Sequence, residues 1–407
     1  MDQVLTQDHV VPIDEASLDR ANALDRLLDQ WWREGVQTPG YRDFEALKAV
    51  IAYLRESPPL LPSTEIDALA QRLGDAATGQ GVVLMGGDCA ERLSDASIHQ
   101  APALATCLDH LGRRIKAAIE LEPILVARAA GQLAKPRSNP TEKRGEAELE
   151  SYRGDMINAA RFSAEARDPS LARLLFARAL SRYILSIFAM QPLSWPLATA
   201  HETLSLPYDI GLTRLENDGR LLCTSAHMLW VGHRTRAPTG AYTAFAATIS
   251  NPIGVKIGAD CDVEEFKAII QAIGPKLPGR LSLISRMGSE HVADKLPALI
   301  EVSQKILSAP LWICDPMHGN AERLPGGTVT RRLSNITREA EAFRKAVETA
   351  GLPLGGLHLE LSGADITECL DGHDLKEEKD LSRSYTSAMD PRLNCAQATT
   401  VLDAFLG

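Results

Sequence analysis

The sequence predicts an α/β protein organised as a (β/α)8 TIM barrel, with a helical extension at the N-terminus and extra helices. Three observations carry this expectation. Short apolar runs alternate with stretches of helical periodicity from residue 63 onward. The runs are apolar on both faces, as strands of a parallel sheet covered by helices are. Seven of them spread over roughly 300 residues favour a closed barrel over an open sheet.

The elements follow in order. Leu18, Leu24, Leu27, Leu28 and Trp31-Trp32 recur at helical spacing, and Phe44, Leu47, Val50, Ile51 and Leu54 repeat the pattern. Pro58-Pro59 and Pro62 stop this lead. Ser63 or Thr64, followed by Glu65 and then Ile66, Leu69 and Leu73, reads as a capped helix. Strands are expected at 82–85, 124–127, 253–258, 281–286, 311–314 and 357–361, with a further apolar region at 221–223 and 228–231. One more strand is expected between 190 and 210, where Pro192, Pro196 and Pro207 blur the pattern. Residues 171–188 are helical, as a decoration or a barrel helix, and the polar segment 135–150 reads as a loop over the barrel top. The expected division is a helical extension at 1–62 and a catalytic barrel at 63–407, with helices inserted around 140–190.

Bulk properties narrow the class. The chain has 407 residues, 45% hydrophobic and 24% charged, as ordinary globular proteins do. A formal charge of −10 with no basic tail or stripe argues against nucleic acid. Seven cysteines without a CxxC pair argue against a secreted disulfide framework and a zinc ribbon. No basic region followed by an apolar stretch opens the chain, and no run of about 18 apolar residues spans a membrane. A cytoplasmic enzyme without membrane contact is expected, its thiols reduced.

Four islands near the ends of apolar runs hold the chemistry: Gly86-Gly87-Asp88-Cys89, Asp315-Pro316-Met317-His318, His358-Leu359-Glu360 and Asp390-Pro391-Arg392. Cys89, His318, Glu360 and Asp390 offer one thiolate, one imidazole and two carboxylates. That set suits a divalent first-row ion (Mn, Co, Fe or Zn) acting as a Lewis acid. Singly, each has a plainer reading: a small core cysteine, a loop histidine, a paired acid. Their shared place at strand ends, where barrel enzymes keep their sites, favours the metal. Arg128, Lys256 and Arg286 also lie at or near the ends of apolar runs, where a charge is costly unless it meets an anion. Lys135-Pro136-Arg137-Ser138 and Arg234-Thr235-Arg236 add cations in loops, although Arg236 and Lys143 also suit surface ion pairs. A net-acidic chain with cations so placed fits small phosphorylated acids.

At these residues the chain resembles the type II, plant-like 3-deoxy-D-arabino-heptulosonate 7-phosphate (DAHP) synthases. The matching stretches are MGGDCAE (85–91), RAAGQLAKPRS (128–138), SYRGDMIN (151–158), WVGHRTR (230–236), NPIGVKIG (251–258), CDPMHGN (314–320), GGLHLELSGADITECL (355–370) and DPRLN (390–394). The resemblance implies a barrel that condenses phosphoenolpyruvate with erythrose 4-phosphate and releases phosphate. It implies metal ligation by Cys89, His318, Glu360 and Asp390. Phosphoenolpyruvate would meet Arg128, Arg234, Lys256 and Arg286; erythrose 4-phosphate would meet Lys135, Arg137 and Ser138. Lys256 would also shuttle a proton, and Glu202 would stand near the attacking water.

Two departures stand out. The family usually has an acid where this chain has His233, a histidine that could carry positive charge there. The stretch between Phe188 and His201 looks shorter than in long, feedback-regulated members. Together with the modest N-terminal lead, this implies a short form insensitive to aromatic amino acids. Such a form would serve the shikimate route towards secondary products such as phenazines. A homo-oligomer is expected, with a chorismate mutase as a possible partner. Two alternatives use the same residues: an enzyme taking an amino or imino tetrose phosphate, and a non-catalytic barrel regulating a partner such as chorismate mutase.

Overall fold

Eight parallel strands close into one barrel in a computed structural model, which describes residues 15–407 apart from Ser94, Ser138, Lys276, His373 and Ala388. They are β1 (Gly81–Gly87), β2 (Glu122–Arg128), β3 (Leu197–Glu202), β4 (Met228–Val231), β5 (Ile253–Gly258), β6 (Leu281–Arg286), β7 (Leu311–Cys314) and β8 (Gly356–Glu360). Each strand pairs with its neighbours in the chain, and β8 closes on β1. The strand sought between 190 and 210 is β3.

Three helices precede the barrel: α1 (Glu15–Glu34), α2 (Phe44–Glu56) and α3 (Ser63–Ala77). The helices α4 (Asp95–Ile119) and α5 (Ala172–Ala189) follow β1 and β2, so residues 171–188 supply a barrel helix. After β4 come α6 (Ala241–Thr248), α7 (Val263–Ile273), α8 (Val292–Ile306), α9 (Leu333–Thr349) and α10 (Cys395–Leu406), each following its strand. Sequence explains their limits. Asp262 caps α7 through the Glu265 amide, and Gly274 ends that helix in the left-handed region at φ 59°.

Two expectations are corrected. Leu221–Cys223 lies outside the barrel, paired antiparallel with Thr213–Leu215. Residues 141–150 are not a plain loop: Thr141–Arg144 and Ala147–Glu150 form a hairpin. All its strand residues but Ala147 and Leu149 are polar and none is buried, so the run of apolar alternation that signals a strand is too weak to read.

Side-chain alternation decides what enters the barrel. Val83, Met85, Ile124, Val126, Met228, Trp230, Ile284 and Ile313 form the inner cluster, which α3 joins through Leu69, Leu73, Ala76 and Ala77. Val82, Leu84, Leu125, Ala127, Val255 and Ile257 belong to the core shared with the outer helices. Arg128 therefore keeps the inward parity of Ile124 and Val126. Lys256 points inward between two outward neighbours. Gly87 is level with both Arg128 and Glu360 across the β8-β1-β2 seam.

Trp31 packs within this chain: it is 1% exposed, and its Nε1 donates to Tyr242 Oη at 3.0 Å. Trp32 lies against Phe44, with ring centroids 4.6 Å apart. The expectation of reduced thiols is corrected for one pair: Cys107 and Cys395 form a disulfide between α4 and α10, which pack side by side, while the other five cysteines are free and buried. Among the described residues, no helix is long and apolar enough to cross a membrane.

Candidate active site

The strand ends of β1 and β8 and two loops bring the four expected ligands together. Cys89, Glu360 and Asp390 offer atoms within 4.8 Å of one another, and His318 Nε2 stands 3.0 Å from Glu360 Oε1. The Lys135 ammonium sits among them, 2.6 Å from Cys89 Sγ and paired with Asp390. A cation thus already occupies the neighbourhood of a thiol and two acids. The residues fit a divalent first-row ion by donor type and by this stand-in charge. Burial, then Glu360, pushes the Cys89 thiol up to about 12 against the opposing Lys135. Burial alone would raise Glu360 as well, but His318, Arg331 and Lys135 hold it well below the usual carboxylate range.

Beneath this cluster lies a buried layer of cations over an aromatic floor. Trp230 faces the Arg128 guanidinium at 5.2 Å and the Lys256 ammonium at 5.7 Å from its ring centroid. Arg128, 1% exposed, donates to Glu360 Oε1 at 3.3 Å and bonds His358 Nε2. Lys256 Nζ donates to Asp315 Oδ2 at 2.8 Å and lies 3.3 Å from His318 Nδ1. Burial lowers the Lys256 pKa, with Asp315 opposing. Burial, followed by Lys256 and Arg128, keeps His358 well below the usual histidine value, so its ring is neutral. Asp315 also meets His318 Nδ1 at 2.8 Å, which orients the outer nitrogen toward Glu360.

Several groups that build the site escaped the sequence reading. Arg331 is wholly buried and donates to Glu360 Oε2 at 2.7 Å, although it comes from a short strand far along the chain. Glu91 accepts from the amides of Ala130, Gly131 and Gln132 at 2.9–3.0 Å and shapes the loop after β2, where Ala130 adopts φ 61°. Glu368 accepts from Arg392 and from the amides of Thr386 and Ser387, which fixes the approach to Asp390. Within GGDCAE and TECL these acids resemble any buried partner; only their amide neighbours reveal the task.

The remaining expected residues ring the mouth. Lys135, Arg137, Arg234 and Asp390 line a cleft of about 720 Å³, closed on one side by the hairpin. Arg286 Nη2 donates to the His318 carbonyl at 2.9 Å. Glu202 ends β3, and its Oε1 is buried without a hydrogen-bond partner. A Cβ on Gly232 would overlap that oxygen, so the glycine makes room for it. Ser138 lies outside the described residues.

One expectation fails here, and one open question gains an answer. Burial, then Arg236 and Arg286, lowers His233 to about 4, which disfavours the positive charge a histidine could carry at this position. Arg236 is no surface partner: it is 4% exposed and donates to Glu265 Oε2 at 3.1 Å. Lys143 does form a surface pair, 3.2 Å from Glu148.

Comparison with known proteins bears on the family of the chain. The Class-II DAHP synthetase family matches residues 28–194 and 189–405. A phospho-2-dehydro-3-deoxyheptonate aldolase of Streptomyces coelicolor is 35% identical, over 90% of this chain and 94% of its own. A probable phospho-2-dehydro-3-deoxyheptonate aldolase of Pseudomonas fluorescens is 36% identical, over 91% and 94%. One from Mycolicibacterium smegmatis is 33% identical, over 96% and 95%. With the family model matching residues 28–405 and relatives 33–36% identical over 90% or more of its length, this chain belongs to the Class-II DAHP synthetase family.

Proposed function

We propose that the enzyme condenses phosphoenolpyruvate with D-erythrose 4-phosphate and water, giving 3-deoxy-D-arabino-heptulosonate 7-phosphate and inorganic phosphate. The observation that carries this reading is the convergence of Cys89, His318, Glu360 and Asp390 directly above Arg128 and Lys256. A divalent ion held by those four residues would supply Lewis-acid polarisation of the aldehyde oxygen.

The chain's own residues do the rest. Arg128, Lys256, Arg286 and Arg234 hold the phosphoenolpyruvate anion, and Trp230 shields its inner face from water. Lys135, Arg137 and Ser138 receive the tetrose phosphate in the adjoining cleft. Neutralising both anions in one place replaces a repelled bimolecular encounter, and orientation alone supplies several kcal/mol, up to ~10. C3 of phosphoenolpyruvate attacks the aldehyde carbon. Lys256, whose pKa burial lowers, donates a proton to the developing alkoxide more readily than an exposed lysine. The unpartnered Glu202 Oε1 accepts a proton from the water that attacks C2, and phosphate then leaves.

We place the enzyme in the cytoplasm, as a short form. Helix α5 ends at Ala189 and β3 begins at Leu197, so a brief connection stands where regulated relatives would carry more chain. Phenylalanine, tyrosine and tryptophan are therefore expected to leave the rate unchanged; inhibition by any of them rejects the short-form reading. The central test is a phosphate-release assay with both substrates after loading Mn, Co, Fe or Zn, paired with metal analysis of the Cys89→Ala chain. That variant should lose at least about 100-fold in activity, more than is typical of losing an outer-shell partner, and bind less metal. Full activity in Cys89→Ala would discard the ligand assignment.

A further inference from the structure

The connection between α1 and α2, residues 35–43, runs from the helical extension to the mouth of the barrel. Gln37 is half-buried there, and its side chain makes two hydrogen bonds to one residue of the loop after β2. Its Nε2 donates to the Arg137 carbonyl at 3.1 Å, and its Oε1 accepts from the Arg137 amide at 2.9 Å. One carboxamide thereby stands in for a neighbouring strand, donor to acceptor and acceptor to donor. The loop needs such a partner. Residues 135–137 belong to no helix or strand, and another hold on them is the Lys135 amide donating to the Arg153 carbonyl at 2.9 Å.

Gln37 keeps this place against local preference. Its backbone sits at φ 54°, in the left-handed region that side chains larger than asparagine rarely occupy. Such a conformation persists where contacts on both sides fix it. On one side stands Arg137. On the other, Tyr242 Oη donates to the Val36 carbonyl and Glu34 Oε2 accepts from the Ala241 amide, both at 3.1 Å. Gln30 Nε2 donates to the Thr239 carbonyl at 3.1 Å. These bonds tie the end of α1 to the entrance of α6, beside the loop that carries Arg234. The connection is thus anchored on the β4 side of the mouth and reaches across to the β2 side.

We propose that Gln37 is a positioning residue for the tetrose phosphate: it fixes the Arg137 backbone, so that Lys135 and Arg137 line the cleft in a geometry preset for a sugar-phosphate dianion. This role rests on the reading that the cleft receives erythrose 4-phosphate. Gln37 is not part of the cleft wall, so it acts through the loop and not on the ligand. Without the clamp, an irregular loop bearing two cations would order only when the phosphate arrives, and that ordering lowers affinity. Phosphoenolpyruvate, held deeper by Arg128 and Lys256 on strand ends, gains little from Gln37.

Two variants remove the carboxamide in different ways. Gln37→Met keeps the length and the left-handed backbone, whereas Gln37→Gly relieves the backbone as well. Calorimetric titration of the metal-loaded full chain with erythrose 4-phosphate should show binding weakened about tenfold in both, since one net hydrogen bond is worth roughly fivefold and two are lost. In the phosphate-release assay, KM for erythrose 4-phosphate should rise by a similar factor, while kcat and KM for phosphoenolpyruvate stay within about twofold of wild type. Amide hydrogen exchange across residues 135–137 should quicken in both variants. A side chain that only ties the extension to the barrel would lower the melting temperature and leave both affinities alone. That result overturns the proposal, as does an equal loss for the two substrates. Should the wild type bind erythrose 4-phosphate yet release no phosphate, the reaction is rejected and the titration still decides the role of Gln37. A wild type that does not bind erythrose 4-phosphate overturns both.

Discussion

Lys256 shows how a single residue acquires a role from its surroundings. In the open, a lysine ammonium is too weak an acid to deliver a proton near neutral pH. Inside the barrel, burial lowers its pKa while Asp315, 2.8 Å away, keeps it in place. Lys256→Met should reduce kcat by about 10²–10⁴-fold, the usual span for a lost general acid. Lys256→Arg should not restore it, because a guanidinium binds the anion but does not release a proton. In the pH profile of kcat/KM, the alkaline loss should begin below the ordinary lysine value and disappear in Lys256→Met. Wild-type kcat in Lys256→Met would limit Lys256 to substrate binding.

At the scale of elements, strand ends and the turns after them position the groups. Glycine matters at Gly232, directly after β4, because any side chain there would strike Glu202. Gly232→Ala should displace that carboxylate and reduce kcat about tenfold or more, with a stability change of about 1 kcal/mol. Steady-state kinetics beside a thermal melt separates the two effects. An unaltered kcat would remove Glu202 from the reaction. The loops bearing Gly131 and Asp390 are held differently, by the acids Glu91 and Glu368 accepting runs of backbone amides. Such bonds keep an irregular loop in one shape where no ladder is available.

Across the whole molecule, α3 closes one end of the barrel while chemistry occupies the other. Leu73 is wholly buried among the inner strands, so Leu73→Ala should lower unfolding free energy by about 2–5 kcal/mol, measured by urea titration. Metal affinity should stay near wild type, since the plug lies away from the ligands. Glu339 links stability to pH. It accepts from the Met287 and Gly288 amides, yet burial raises its carboxyl to about 8. Between the unfolded value near 4.5 and about 8, the unfolded chain binds fewer protons than the native one. This group's contribution therefore falls as pH rises through that window. Melting temperature should drop more steeply from pH 5 to 8 in the wild type than in Glu339→Gln; parallel curves would refute the assignment.

Much of this was legible along the chain. Charges at the ends of apolar runs marked Arg128 and Lys256 as meeting an anion, and apolar runs with helical spacers implied a closed sheet. The metal-type donors stood out because soft and hard ligands rarely share strand ends by chance. The hairpin at 141–150 was not legible, since polar strands carry no periodic signal. Nor was Arg331, whose partner Glu360 is close only after the barrel has closed. The charge state of His233 stayed open along the chain, because burial and Arg286, brought in from another strand, act on it together with the nearby Arg236. Residue type and spacing determined the fold and the inventory of reactive groups. Proximity determined which of them are charged, paired or free, because burial and Coulomb forces act through space and not along the backbone.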